Sequence, residues 1–457
     1  MRRVLTPDIP FDGGTAFDGS RPLRIVLDDA LGGGEAETLL RGFARHGLVE
    51  IFATGEGHSG VALILHDELD RYGNLPYEVR RPGSRAQPRG LHNAQQWRHI
   101  ALQMTQQFGA SDADDTRREL ILTQIARDLG ADAFATRSEF VLDQAPRGIV
   151  ERANPMTPNE AMALMGLYLR LRGDFTVFMG EESYTYSMDR GLWYWVLTRD
   201  MLRSGWRWFG ACVRSSTASG DDALILLGQS TLRRFDRALR ARDHVLQQFH
   251  LPPDNNTSDE ALFYLDVVLL MLSGAFDAAA QVAHTVYGLT GKTDDAGWRK
   301  GPWRKKLGAV EPAFATLLAD ESQTRDAMDL VGLLRNTIHG EALRGIAYEE
   351  HGKPRRRENL VLLPAQHRTR LLDAVARRGG GTQWGLRRGD EVAVEGDTFL
   401  EALIPEVARA LNDLMDATNV MRLPGVSAAN LPEPPTDPGS EFSPHHSRFH
   451  RLLAGLA

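Results

Sequence analysis

The chain has 457 residues, 42% hydrophobic and 25% charged, with a formal net charge of −7. That length and composition suit two or three soluble globular domains, each with its own core. The negative balance excludes a general nucleic-acid coat, and the single cysteine, Cys212, excludes an internal disulfide and a cysteine-based zinc site.

No uninterrupted apolar run approaches the roughly 20 residues that span a bilayer, so no membrane partner is expected. The opening MRRVLTPDIPFDGG has two arginines but no apolar segment behind them. A secretory signal is therefore not expected, and a cytoplasmic location is. The basic residues are almost all arginine. The five lysines, Lys292, Lys300, Lys305, Lys306 and Lys353, fall within one short region of the chain.

In chain order, residues 1–20 read as an irregular Gly/Asp/Pro arm. Residues 24–27 read as a buried strand ending at Asp28 and Asp29, followed by the Gly32-Gly33-Gly34 turn and a helix over 35–46. Apolar runs at 48–53 and 61–65 complete the strand–turn–helix–strand grammar of an α/β unit. A Pro/Arg/Gly-rich connection at 75–92 leads to a polar helix over 95–107. A further helix starts at 115–116, where Thr116 and Glu119 are spaced as a capping box, and ends at Gly130 before a strand at 131–136.

The stretch IARDLGADAFATRSEFVL is similar to the closing helix–strand segment of PIN-like nuclease domains. That resemblance implies a divalent metal held by acidic residues at strand ends, with Asp29 and Asp132 as candidates and Asp115 or Glu119 behind them. Solvated turns with acidic residues are the plain alternative. No other cofactor is expected.

Pro155 to Pro158 mark a domain boundary, and Thr157-Pro158-Asn159-Glu160 is a strong helix start. Helices follow at 157–173, 190–203, 221–250 and 258–287. The last carries Asp266 and Asp277 eleven residues apart, on one face. The segment KTDDAGWRKGPWRKK interleaves Trp298 and Trp303 with Arg299, Lys300, Arg304, Lys305 and Lys306. Cations for phosphates and indole faces for bases are the chemistry of single-stranded nucleic-acid contact. The alternative is a loop whose tryptophans pack back onto the helices.

Residues 324–345 read as one amphipathic helix, with Ala327, Leu330, Val331, Leu334 and Ile338 as its apolar stripe. Arg335 and His339, four apart, leave the same strip of surface, with Asn336 beside them. Such a cluster can bind a phosphate and move protons at it, or join two helices by hydrogen bonds.

The run Leu334-Arg335-Asn336-Thr337-Ile338-His339-Gly340 resembles the Arg-Asn…His signature of the HEPN superfamily of helical bundles. Three residues separate Arg335 from His339, against four to six in that family's common catalytic form. The resemblance implies a metal-independent RNase using Arg335, Asn336 and His339, working as a homodimer or higher oligomer in bacterial defence or as a toxin. A HEPN-like module that binds RNA or a protein partner without cleaving is the second expectation, and a metal-dependent N-terminal nuclease the third.

A hairpin at 347–350 and 360–363 follows, its turn carrying Lys353, Arg355, Arg356 and Arg357. Then come a helix at 365–378, a hairpin at 384–394, a helix at 398–421 and a Pro-rich tail. The fold expected is α+β: an α/β domain over 1–150, a mainly helical domain with hairpin insertions over 151–425, and a tail over 426–457.

Overall fold

The computed structural model describes the chain except for residues 1–15, 20, 29–33, 55–59, 67, 92–98, 101, 104–105, 108–112, 145–152, 179–184, 252–253, 338–341, 350–356, 389–390, 432–443 and 457. The fold is α+β, and the chain divides into two compact units. One comprises Met1–Arg190 with Leu452–Gly455 and Ala457, the other Gly191–Arg451 with Leu456.

In the first unit, β1 (Leu23–Leu27), β2 (Val49–Thr54) and β3 (Val61–Leu65) are the apolar runs of the sequence. The helix α1 (Glu35–Gly42) lies between β1 and β2. Next come β4 (Leu75–Arg80), β5 (Gln87–Leu91), α2 (Ala113–Asp128), β6 (Ala133–Ala135), β7 (Pro155–Met156) and α3 (Pro158–Leu171). The seven strands form one sheet in the order β5-β4-β3-β2-β1-β6-β7.

Strands β3, β2, β1, β6 and β7 run parallel, while β4 and β5 add an antiparallel edge. Parallel strands are covered on both faces, which is why β1 to β3 read as near-continuous apolar runs. The chain extends the sheet in one direction from β1 through β2 and in the other through β6. The carboxyl ends of β1 and β6 therefore flank a topological switch point, the place where open α/β sheets take ligands.

Three sequence expectations change here. The connection at 75–92 is the β4–β5 hairpin, with Leu75, Tyr77 and Val79 alternating inward and the Tyr77 hydroxyl hydrogen-bonded to Asp128. Helix α2 begins at Ala113, so Thr116 lies within the helix rather than at its start. The α/β unit continues past residue 150, because β7 pairs with β6. Pro155–Pro158 is thus a strand-to-helix turn within this unit. The capping box is real: Thr157 Oγ1 accepts from the Glu160 N–H, and the Glu160 carboxylate accepts from the Thr157 N–H.

A two-stranded ribbon, β8 (Thr176–Phe178) and β9 (Thr185–Ser187), precedes α4 (Arg190–Met201). The second unit continues through α5 (Arg203–Ser219), α6 (Ala223–His250), α7 (Asn255–Val286), α8 (Gly301–Val310), α9 (Ala313–Leu317) and α10 (Gln323–Thr337). It also holds α11 (Arg368–Arg377) and α12 (Gly396–Ala417), while α13 (Pro444–Ala454) closes the chain.

Four strands, β10 (Gly345–Glu349), β11 (Arg357–Leu362), β12 (Leu386–Arg388) and β13 (Val392–Glu395), form an antiparallel sheet in the order β10-β11-β13-β12. Both expected hairpins are therefore present and joined. The helix expected over 324–345 is shorter. It starts at Gln323, its described part ends at Thr337, and Gly345 already belongs to β10.

Helices α6 and α7 pack along their length, and α12 packs against α5, α6, α7 and α10. The core between them holds Phe235, Leu239, Leu269, Leu272, Leu330, Val331, Leu334, Phe399 and Leu403. At 32 residues, with a mean hydropathy of 1.7 over its most apolar 18, α7 has the length and composition of a membrane span. In this fold it is a bundle helix whose Val268, Leu269, Leu272 and Ala275 are fully buried.

One oxygen of Asp266 on α7 is buried without a hydrogen bond, and burial raises the carboxyl pKa above its ordinary value. A raised folded-state pKa means that folding disfavours the charged form, a loss of stability that sets in above the unfolded-state pKa and is complete above the folded one. Asp266→Asn is therefore expected to raise the melting temperature at pH 7. The gain should shrink toward zero as pH falls through the carboxylate range, which thermal unfolding at stepped pH will show.

Candidate functional site

The Trp/Arg/Lys segment folds with its tryptophans inside and its lysines outside, while Arg299 is largely buried against Asp329. Trp298 is buried, donates from Nε1 to the Phe276 carbonyl at 2.8 Å and meets Trp303 edge to face at 5.1 Å. Trp303 is buried as well, and its Nε1 donates to His284 Nδ1 at 3.2 Å. Each indole has large apolar area and one N–H, and both needs are met in the core. The expectation that these rings stack on bases is thereby corrected: their faces are covered by protein.

The lysines of the segment do reach the surface. Lys300 Nζ donates to the Asp294 carbonyl at 3.1 Å, Lys306 Nζ to that of Thr290 at 3.0 Å, and Arg304 Nη1 to that of Leu318 at 3.0 Å. Lys305 is exposed. These contacts clamp neighbouring turns and leave the three lysine ammonium groups exposed, while Arg304 is half-buried.

At the end of α10, burial changes abruptly. Leu333 and Leu334 are in the core, Arg335 is half-buried and Asn336 exposed. Arg335 Nη1 sits 3.5 Å from Asn336 Oδ1, and among the described residues no carboxylate lies within ion-pair distance of Arg335. His339 lies outside the described residues, as do Lys353, Arg355 and Arg356. Arg357 opens β11 opposite Glu349.

Across from Arg335 stands Asp277 of α7, which retains access to solvent. Its carboxyl is pushed up by burial. Arg335 is the strongest influence opposing that rise, followed by Lys300, Arg234 and Arg299. Arg335, Lys300 and Arg234 thus act on this carboxylate, while Arg299 is ion-paired with Asp329. Arg234 reaches the seam because Gly274 has no side chain. Its Nη1 donates to the Gly274 carbonyl at 2.6 Å, where an added Cβ would come within 2.4 Å.

The acidic candidates of the α/β unit separate. Asp132 is bound by both arms of Arg21, at 2.7 and 2.8 Å, and accepts from the Arg24 N–H at 2.9 Å. It joins the amino-terminal ends of β1 and β6, opposite to the switch point. Its role in this geometry is a structural ion pair, which corrects its place among the metal candidates. Asp29 lies outside the described residues. At the carboxyl end of β1, Asp28 is buried and paired with Arg118 at 2.7 Å. Among the described residues no group of three His, Cys, Asp or Glu side chains is placed to hold a metal ion.

Sequence reading passed over Arg234, Arg325, Asp329 and Arg370. The i,i+4 spacing of Arg325 and Asp329 was a visible signal. Arg234 and Arg370 come from distant helices, and nothing local announces them. No family model, curated protein or solved structure matches this chain.

Proposed function

We propose that the helical unit acts on RNA, gripping phosphates along the cationic seam at the end of α10 and cleaving with the Arg335–His339 segment without metal. The observation that carries this reading is the excess of cations. Arg335, Lys300 and Arg234 bear on the carboxylate of Asp277, and among the described residues no carboxylate comes within ion-pair distance of Arg335. A chain of net charge −7 that concentrates cations at one place has a surface suited to phosphate.

The resemblance of Leu334–Gly340 to the HEPN signature supplies the roles. Arg335 would hold the scissile phosphate with its planar fork, and Asn336 would orient it. His339 would take the proton of the ribose 2′-OH or return one to the departing 5′-oxygen. One helix supplies one histidine, so the reading favours two copies pairing their seams.

Anisotropy titration of single-stranded RNA at stepped salt tests the seam. Removing one phosphate contact, in Arg335→Gln or Lys300→Gln, is expected to weaken binding and flatten the log–log salt slope by about 0.7. Unchanged affinity and slope in both variants, with folding intact by circular dichroism, would sink the reading.

A further inference from the structure

We infer that Arg299, Arg325 and Arg370, gathered on Asp329, form a binding site for a phosphate dianion. Asp329 accepts a hydrogen bond from Arg370 Nη2 at 2.8 Å and lies within ion-pair distance of Arg299 Nε at 3.2 Å and Arg325 Nε at 3.3 Å. The three arginines come from the α7–α8 loop, α10 and α11, so the fold converges three elements on one carboxylate. The group carries three positive charges and one negative.

That imbalance sits largely out of water. The side chain of Asp329 is 13% exposed, that of Arg325 11% and that of Arg299 30%. Excess charge in a desolvated place is costly unless a counter-charge completes it. Arg325 Nη1 is buried with no hydrogen-bond partner. Burial, with Arg325 and Arg370 adding to it, pulls the Arg299 guanidinium below its ordinary pKa despite Asp329. Arg370, the most exposed of the three, keeps part of its fork open to solvent for another acceptor.

The ligand chemistry follows from charge and geometry. A phosphate monoester carries about two negative charges at neutral pH and offers three acceptor oxygens. It would cancel the excess and meet guanidinium forks in the bidentate manner they favour. Arg370, with its side chain 55% exposed, gives the route from solvent. Asp329 is the organiser that holds the three cations together when the site is empty.

Gly332 shows that the arrangement is built into α10. A Cβ at this position would lie 1.9 Å from Arg299 Nη1, so the guanidinium rests on bare helix backbone. Alanine favours a helix more than glycine does. Gly332→Ala is therefore expected to displace Arg299, its helix preference offsetting part of the cost of breaking the pair with Asp329.

Isothermal titration of the full-length protein with inorganic phosphate, at fixed ionic strength, tests the site. Arg370→Gln and Gly332→Ala should each weaken binding at least tenfold, with Arg370→Gln melting near the wild-type temperature. A second arm compares a short oligonucleotide bearing a 5′-phosphate with its 5′-hydroxyl twin. Preference for the phosphorylated oligomer would assign the site to a nucleic-acid end, and phosphate binding without that preference to a small phosphate ester. The proposal is overturned if neither phosphate nor the phosphorylated oligomer binds at millimolar concentration. Equal binding by the wild type and both variants overturns it too.

Discussion

Exchange of His339 for alanine is expected to lower RNA cleavage by roughly 10²–10⁴-fold while RNA affinity changes little. Proton transfer by a positioned side chain contributes about that much to a rate. If His339 carries the proton, its loss acts on the transition state, so kcat falls and KM holds. Arg335→Ala should behave differently. Removing the phosphate grip raises KM and also lowers kcat, because the same guanidinium holds the ground state and the crowded phosphorane. The two variants thus separate the proton carrier from the anion holder. A histidine that merely joined two helices would show the loss in a melting temperature instead.

The second large effect concerns Trp298. Its replacement by alanine is expected to destabilise the protein by about 3–5 kcal/mol, the range for emptying a buried aromatic site. The change removes the Nε1 hydrogen bond to the Phe276 carbonyl and the edge-to-face contact with Trp303. Chemical denaturation measures the loss, and Trp298→Phe should recover part of it by refilling the space without restoring the N–H. A base-stacking tryptophan on the surface predicts the reverse: stability within about 0.5 kcal/mol and RNA affinity down by roughly 1–3 kcal/mol.

The sequence made the parallel strands and long helices visible because their cores are built from contiguous or periodic apolar residues. LRIVL, VEIFAT and VALIL can be buried only as strands covered on both faces, and Thr157-Pro158-Asn159-Glu160 carries its own capping chemistry. The β4–β5 edge escaped because Pro76 and the arginines around it mask the inward alternation of Leu75, Tyr77 and Val79. Helix α5 escaped too, since RSGWRWFGACVRSSTAS mixes glycine and serine into a segment whose helicity depends on packing against α6 and α12.

At the site, helical spacing places Asp266 and Asp277 on one face of α7 but does not say which helix that face meets. The inward turn of Trp298 and Trp303 could not be anticipated, because a Trp/Arg/Lys interleave has the same composition whether its indoles point out or in. The arginine convergence on Asp329 was the least legible. Its Arg370 arrives 41 residues beyond the carboxylate it meets.

The most direct test is cleavage of single-stranded RNA by the purified full-length protein in EDTA, beside the same oligomer with one 2′-deoxy residue at the cut site. Metal-free attack by the 2′-oxygen predicts products ending in a 2′,3′-cyclic phosphate, with no cut at the deoxy position. Cleavage that needs Mg²⁺ or Mn²⁺ and ignores the 2′-deoxy substitution would contradict it.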